Sequence, residues 1–239
     1  PDDLALKVQE LRELTDNQVP IQLKIGASRV YDDVRMAAKC DPDSIFLDCM
    51  EGSTAAGPHI AAANTGIPGI AAVREARRAL DDVGKSGEVS LVFAGGIRDG
   101  ADMAKAIALG ADAIAIGTAG LVALNCNKDI PEADYEKEMG VEAGYCYHCH
   151  TGRCPVGVAT QDPVLRSRLD PTEAADRVYN LLSTMTLECQ MLARACGKTN
   201  IHSLEPEDLA ALTMESSAMA KVPLAGTDLT VGVDNYHSI

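Results

Sequence analysis

Val89-Ser-Leu-Val-Phe-Ala94, Gly95-Gly96, a helical stretch over Ala101–Leu109, Ala113-Ile-Ala-Ile116 and Gly117-Thr118 follow one another in that order, and this run decides the fold. The first segment is almost continuously apolar, the pattern of a strand buried on both faces rather than one with a wet side. A glycine pair ends it, a helix-length segment follows, and a second strand ends again in glycine. Strand, helix and strand at this spacing form a βαβ unit, whose strands are parallel.

The same alternation extends upstream. Ile21-Gln-Leu-Lys-Ile25 reads as a short alternating strand closed by Gly26, followed by a helix through Val34-Arg-Met-Ala-Ala38. Ser44-Ile-Phe-Leu-Asp48 is the next strand, then comes the loop Glu51-Gly-Ser-Thr-Ala-Ala-Gly57 and a helix over Ala71–Val83. Before them, Asp2-Asp3 opens a helix with Leu4, Val8, Leu11 and Leu14 at helical spacing. The expected class is therefore α/β with four parallel strands. A small open doubly wound sheet or half of a (β/α)8 barrel both fit, since a whole barrel takes about 250 residues.

After Pro163 the texture changes. Glu173–Cys196 reads as one long helix with Ala174, Val178, Leu181, Leu182, Met185 and Leu192 as its apolar stripe, capped by Gly197. A second helix is expected from Ser203 to Ala220 with Glu205, Glu207 and Asp208 in its first turn, and Pro223–Ile239 as a surface strand or arm.

The chain has 239 residues, 46% hydrophobic, with a net charge of −14 from 35 acidic and 21 basic residues. Such a surface argues against a nucleic-acid partner, which needs basic groups on its phosphates. No apolar run is long enough to span a bilayer and no secretory signal is visible, so no membrane partner is expected. Eight cysteines in a chain this long do not make a secreted disulfide scaffold, and a cytoplasmic, reducing setting is expected. Pro1 stands where an initiator Met would, so a fragment, a processed product or a trimmed form is expected.

Three features carry chemistry. Gly95-Gly96 and Gly117-Thr118 end consecutive strands, where glycine lets a phosphate approach converging N–H groups; a plain tight turn is the alternative for either. Lys24 points opposite to Leu23 and Ile25 and is either solvated on an edge strand or a cation waiting for an anion. The run Tyr145-Cys-Tyr-His-Cys-His-Thr-Gly-Arg-Cys-Pro155 sets Cys146, Cys149 and Cys154 at C-x2-C-x4-C, crowded thiols that a metal would neutralise. Cys146-Tyr-His-Cys-His150 also has the C-x-x-C-H form of covalent haem attachment, and Cys/His at these spacings suits structural zinc. Cys40, Cys49, Cys189 and Cys196 read as core cysteines, the last two on one helix face.

Lys24-Ile-Gly26, Glu51-Gly-Ser-Thr-Ala-Ala-Gly-Pro58, Ala94-Gly-Gly-Ile-Arg-Asp-Gly100, Ala115-Ile-Gly-Thr-Ala119 and Cys149-His-Thr-Gly-Arg-Cys-Pro-Val-Gly-Val-Ala-Thr-Gln161 occur in this order. Together they resemble the FMN-binding synthase domain of the glutamate synthase family. The resemblance runs from about residue 1 to about residue 226 and is nearest to the stand-alone branch that includes the large subunit of methylamine–glutamate N-methyltransferase (N-methylglutamate synthase).

The resemblance implies strands five to eight of a (β/α)8 barrel in residues 1–125, an iron–sulfur segment in 126–162, and a helical extension with a tail in 163–239. The first barrel half would come from the same precursor or another chain. It further implies FMN, with Gly95, Gly96, Gly117 and Thr118 as phosphate cradle, Lys24 beside flavin and substrate carboxylate, and Gly52, Ser53 and Thr54 lining the substrate pocket. Ser53 and Ala55 depart from the family's Gly-Gly-Thr-Gly-Ala and narrow that pocket. Cys149 and Cys154 match cluster ligands, Cys126 after Ala123-Leu-Asn125 takes the upstream place, and Cys146 is extra, giving a 3Fe–4S or a 4Fe–4S cluster.

The activity implied is reduction of 2-iminoglutarate, formed from 2-oxoglutarate and ammonia, to L-glutamate. An electron donor and an amidotransferase-type subunit are expected partners. N-methylglutamate synthesis from glutamate and methylamine is the near alternative, and a zinc-stapled, non-catalytic assembly subunit the distant one.

Overall fold

The computed structural model describes residues 2–52, 58–126, 136–137, 140, 146 and 148–233. Contacts divide the chain into two compact units: Pro1–Gly52, Thr65–Ala115 and Glu188–Ile239 form one, and Ser53–Asn64 with Ile116–Leu187 the other.

The first unit is built on four parallel strands, β1 Gln22–Gly26, β2 Ser44–Asp48, β3 Ser90–Ala94 and β4 Ala113–Ala115, paired in sequence order. Helices α1 Asp2–Leu14, α2 Val30–Ala38, α4 Gly69–Asp82 and α5 Gly100–Ala108 precede, connect or follow them, as in four consecutive units of a (β/α)8 barrel. The strands begin or end within a residue of their sequence-expected bounds.

Register makes the two faces unequal. Leu23, Ile45 and Leu91 lie side by side, as do Ile25, Leu47 and Phe93, and the helices cover this face: Ile45, Leu47 and Leu91 are fully buried with Val34, Val73 and Leu80. Each such side chain contributes about 1.5–3 kcal/mol on burial. The other face carries Lys24, Phe46, Val92 and Ala113 in one row and Gly26, Asp48, Ala94 and Ala115 in the next, and none of these is buried. A parallel sheet with one bare face is half of a layered core, as expected from the strand count.

The strands' N-terminal ends are stitched by carboxylates. Asp43 accepts the Ile21 N–H at 2.6 Å and pairs with Arg12, and Asp112 accepts the Leu91 N–H and the Arg77 guanidinium, each at 2.7 Å. On α1 the expected stripe is only partly covered: Val8 is buried, while Leu4, Leu11 and Leu14 are exposed beside the bare edge strand β1.

The second unit holds α3 His59–Asn64, α6 Thr118–Ala123 and α7 Pro163–Arg166, and α8 Pro171–Ala195 runs on from it into the first. Several expectations change here. On α8 the buried line is Ala174, Met185, Cys189 and Ala193, whereas Leu182 and Leu192 are exposed. Cys189 and Ala193 pack with Ala104, Ile107 and Ala108 of α5 and with Leu204. Cys196 is exposed, because the helix stops at Ala195 and Gly197 turns the chain at φ +74°. The single helix expected over 203–220 is two 3-10 turns, Ile201–Ser203 and Pro206–Asp208, and a short α9, Met214–Ala220. Pro206 lacks an N–H and the Glu205–Asp208 capping box starts a new turn, so the helix cannot run through. In the tail, Leu224 forms an isolated bridge with Ala211; residues 234–239 lie outside the described residues.

Cys49, which follows β2, is 3% exposed, and burial, then Glu51 and Asp48, push its thiol from 9.0 to about 12. Because the folded state keeps this proton, its contribution to stability is complete below about pH 9 and is lost as pH climbs towards about 12. At about pH 8 iodoacetamide is therefore expected to modify Cys196 and to spare Cys49 in the native protein, read by peptide mass mapping. Comparable labelling of both would contradict the burial of Cys49.

Candidate functional site

Parallel α/β sheets bind ligands beyond the carboxyl ends of their strands, and in this sheet those ends are unusually bare. The last row offers only hydrogen or methyl side chains at Gly26, Ala94 and Ala115; Asp48 is the one functional group in it. One row lower, Lys24 lies on the edge strand and is 63% exposed, so it is not the buried cation that the strand pattern allowed. It does meet an anion: its Nζ is 2.8 Å from Asp48 Oδ2 and 5.1 Å from the centre of the Phe46 ring. The site residue that sequence reasoning missed is thus Asp48, whose only signal was a polar residue closing an apolar strand.

The loop leaving β2 carries a second carboxylate to the opposite side. Glu51 accepts the Gly69 N–H with both oxygens, at 3.0 and 3.1 Å, and so closes the N-terminus of α4, which Pro68 leaves without a side-chain cap. The stem of Glu51 packs against the turn after β3. Gly96 has φ +68°, and a Cβ there would lie 3.0 Å from Glu51 Cβ, so both backbone and space demand glycine. Gly52 approaches the same turn, its N 3.4 Å from where a Cβ of Gly95 would stand. Ser53 and Thr54, the other expected pocket residues, lie outside the described residues. The Gly96 N–H has no hydrogen-bond partner among the described residues, an open donor of the kind a phosphate oxygen takes up. Asp99 then caps α5 by accepting the Asp102 N–H at 2.9 Å.

In the second unit Gly117 is the N-cap of α6, and Thr118 its first residue, whose N–H likewise lacks a partner among the described residues. The far end of α6 presents Cys126. Asn125 takes the left-handed conformation, φ +82°, and its N–H bonds Val122 O while that of Cys126 bonds Leu121 O, both at 3.0 Å. This is a Schellman cap with asparagine in the usual glycine position. Arg177 of α8 fixes the same end through Ala123 O at 3.0 Å.

The remaining cysteines lie on a wound loop. His148–His150 forms a 3-10 turn, and Thr151 Oγ1 donates to His148 O at 2.9 Å and accepts the Arg153 N–H at 3.2 Å. Thr160, buried, donates to Gly152 O at 2.5 Å, and Arg168 holds Pro155 O at 2.7 Å. Gly157 explains the glycine of Cys-Pro-Val-Gly: at φ +81°, any Cβ would stand 2.6 Å from Leu165 O. Cys154 is buried, Cys126 and Cys146 are half-buried and Cys149 is exposed.

Cys126 senses the other three thiols. Burial first, and then the charges of Cys149, Cys146 and Cys154 in that order, raise the pKa of Cys126. Yet among the described residues no three His, Cys, Asp or Glu side chains are arranged as round a single metal ion.

Comparison with known proteins gives this geometry a family. The family profile described as "Conserved region in glutamate synthase" matches residues 1–132 and 136–199. A glutamate synthase large subunit-like protein of Rhizobium meliloti is 53% identical over 236 residues, covering 99% of this chain and 53% of that protein. An archaeal glutamate synthase (NADPH) of Methanocaldococcus jannaschii is 38% identical over 204 residues, 85% of this chain and 37% of that protein. The chain thus spans about half the length of the first relative and less of the second. A solved flavocytochrome b2 variant with sulfite bound superposes with a TM-score of 0.50 at 19% identity, over 84% of this chain and 37% of that one, a likeness of fold. With the profile covering most of the chain and the barrel strands and cysteine loop in order, the chain belongs to the glutamate synthase family.

Proposed function

We propose that this chain is the cofactor-bearing half of a glutamate synthase-type oxidoreductase that reduces 2-iminoglutarate, formed from 2-oxoglutarate and ammonia, to L-glutamate. The observation that carries the reading is the pairing of a bare, small-residue shelf at the strand ends with a four-thiol neighbourhood in one chain of this family.

The residues present fit the two groups the family implies. For FMN, the open N–H of Gly96 and the absence of side chains at Gly95 and Gly96 suit a phosphate; Gly117 and Thr118 match the family's cradle by resemblance. The Gly26, Ala94 and Ala115 shelf leaves room for a flat ring system, and Lys24 is the cation nearest that row. For an iron–sulfur cluster, soft thiolate donors suit iron. The cysteines at 126, 146, 149 and 154 lie in the stretch that resembles the family's cluster segment, which favours an iron–sulfur cluster over the zinc-stapled assembly subunit. When bound, the flavin would supply hydride transfer and the cluster one-electron transfer.

The chain's own residues do the rest of the work. Lys24 would bind a substrate carboxylate and steady negative charge. Gly52, which lies against Asp48, would line the substrate pocket, and Ser53 and Thr54 are assigned to it by resemblance alone. Residues 1–125 would carry the flavin half, 126–162 the cluster and 163–239 the helical extension. The exposed Leu4, Leu11 and Leu14 beside β1 suit the first barrel half, from the same precursor or another chain. The electron donor and the source of ammonia would be separate subunits or domains. Methylamine in place of ammonia would make the product N-methylglutamate instead.

The visible spectrum and the metal content of the complete protein test this reading. Bound flavin with iron and acid-labile sulfide is expected, and zinc without flavin would overturn it. Product analysis then separates the amines: L-glutamate from 2-oxoglutarate, ammonia and reductant is expected, whereas product from glutamate plus methylamine alone would assign the other synthase. Cys146 is proposed as the fourth ligand beside Cys126, Cys149 and Cys154. Cys146→Ser should then leave the 3Fe–4S signature in electron paramagnetic resonance, and an unchanged iron count would confine the ligands to Cys126, Cys149 and Cys154. Gly157→Ala is expected to cost about 2 kcal/mol or more in urea unfolding and to lower cluster occupancy, because both φ and the Leu165 carbonyl forbid a Cβ.

A further inference from the structure

Two carboxylates flank Cys49 at the end of β2, and their partners are on opposite sides of the sheet. Glu51 accepts the N–H at the N-terminus of α4 and packs on the Gly96 turn. Asp48 stands on the bare face, in a row otherwise made of Gly26, Ala94 and Ala115. Its Oδ2 is 2.8 Å from Lys24 Nζ, and its Oδ1 is 2.6 Å from where a Cβ on Gly52 would be. Lys24 has no other carboxylate within ion-pair distance among the described residues. Lys24 is therefore already ion-paired before any anion arrives.

We infer that Asp48 is the charge mask of Lys24, a positioning residue that holds the ammonium at the strand end and competes with an incoming anion for it. The inference rests on the preceding reading, in which Lys24 faces the substrate carboxylate or the reduced flavin. The energetics suit an exchangeable pair. Lys24 is 63% and Asp48 32% exposed, and solvent screening leaves a pair this wet only weakly held. An anion that brings its own charge and hydrogen bonds can displace such a partner, whereas a dry, bidentate pair would not yield. The Phe46 ring, 5.1 Å from Nζ, keeps the ammonium over the sheet while partners exchange. Gly52 belongs to the same device. Its missing side chain is what lets the carboxylate lean towards Lys24, so the glycine of the pocket loop is demanded by Asp48 and not only by substrate size.

The mask predicts that uncovering Lys24 strengthens anion binding, and that the gain disappears without Lys24. Sulfite is a suitable probe, because its addition to an oxidised flavin bleaches the visible absorbance and is favoured by positive charge beside the ring. In the purified, flavin-loaded complete protein, Asp48→Asn is expected to tighten sulfite about tenfold, and Lys24→Met to weaken it by a similar factor. In the Lys24→Met background the Asp48→Asn change should then move sulfite affinity by less than about twofold. Gly52→Ala, which displaces the carboxylate without removing it, should shift affinity in the same direction as Asp48→Asn and serves if that variant folds poorly. Affinity unchanged in both Asp48→Asn and Gly52→Ala would overturn the mask. So would an equal gain with and without Lys24, because Asp48 would then act on the flavin directly. A complete protein that carries no flavin would instead refute the cofactor reading itself, before any variant is compared.

Discussion

A parallel sheet is stable only when both faces are covered, and here the helices cover one. Ile45, Leu47 and Leu91 are fully buried on that side, while the rows of Lys24 and Asp48 remain open. Stability and chemistry are thereby separated within each strand by the two-residue period of the backbone. Odd-numbered strand positions from 23 to 47 feed the core, and the even-numbered ones between them face the open side. They separate again along the strand axis. Asp43 and Asp112 stitch backbone at the N-terminal ends, whereas glycine, alanine and one ion pair occupy the C-terminal ends.

The loop after β2 shows how little sequence such a division requires. Within four residues it provides a carboxylate to the open face, a buried thiol, and a second carboxylate that caps α4 and shapes the Gly96 turn. Packing of Glu51 against that turn makes the start of the pocket loop and the glycine turn after β3 a single construction. A change in either would be felt by the other, since neither contains spare volume for a methyl group.

The cysteine unit depends on a different device, the aiming of short backbone segments. Cys126 is set by a Schellman cap, Cys154 by a loop that Thr160 and Arg168 hold through main-chain carbonyls, and the loop closes over α7 only because Gly157 has no Cβ. None of these holding residues is a ligand. Much of the Cys-Pro-Val-Gly-Val-Ala-Thr motif is therefore concerned with where the thiols point, which is why it is so distinctive as a sequence.

The strands, their parallel order and the stretches of helix were legible in the sequence because hydrophobic period and glycine placement are local properties. The break at Pro206 could also have been read locally, but the acidic first turn and the following apolar residues mimicked a longer helix. Which of the leucines on α8 are buried was not legible: a broad apolar stripe does not declare which part of it meets α5. Among the site residues, the glycines and cysteines were visible from motif spacing, and Lys24 from its position in an apolar strand. Asp48 was not, because its significance is a diagonal contact between adjacent strands, 24 residues away in the chain. By itself, then, the sequence determined the elements, their order and the kinds of donor available. Only the tertiary structure decided which face stays open, which carboxylate meets Lys24 and which thiols lie buried, since each depends on register and on contacts between segments that no local pattern encodes.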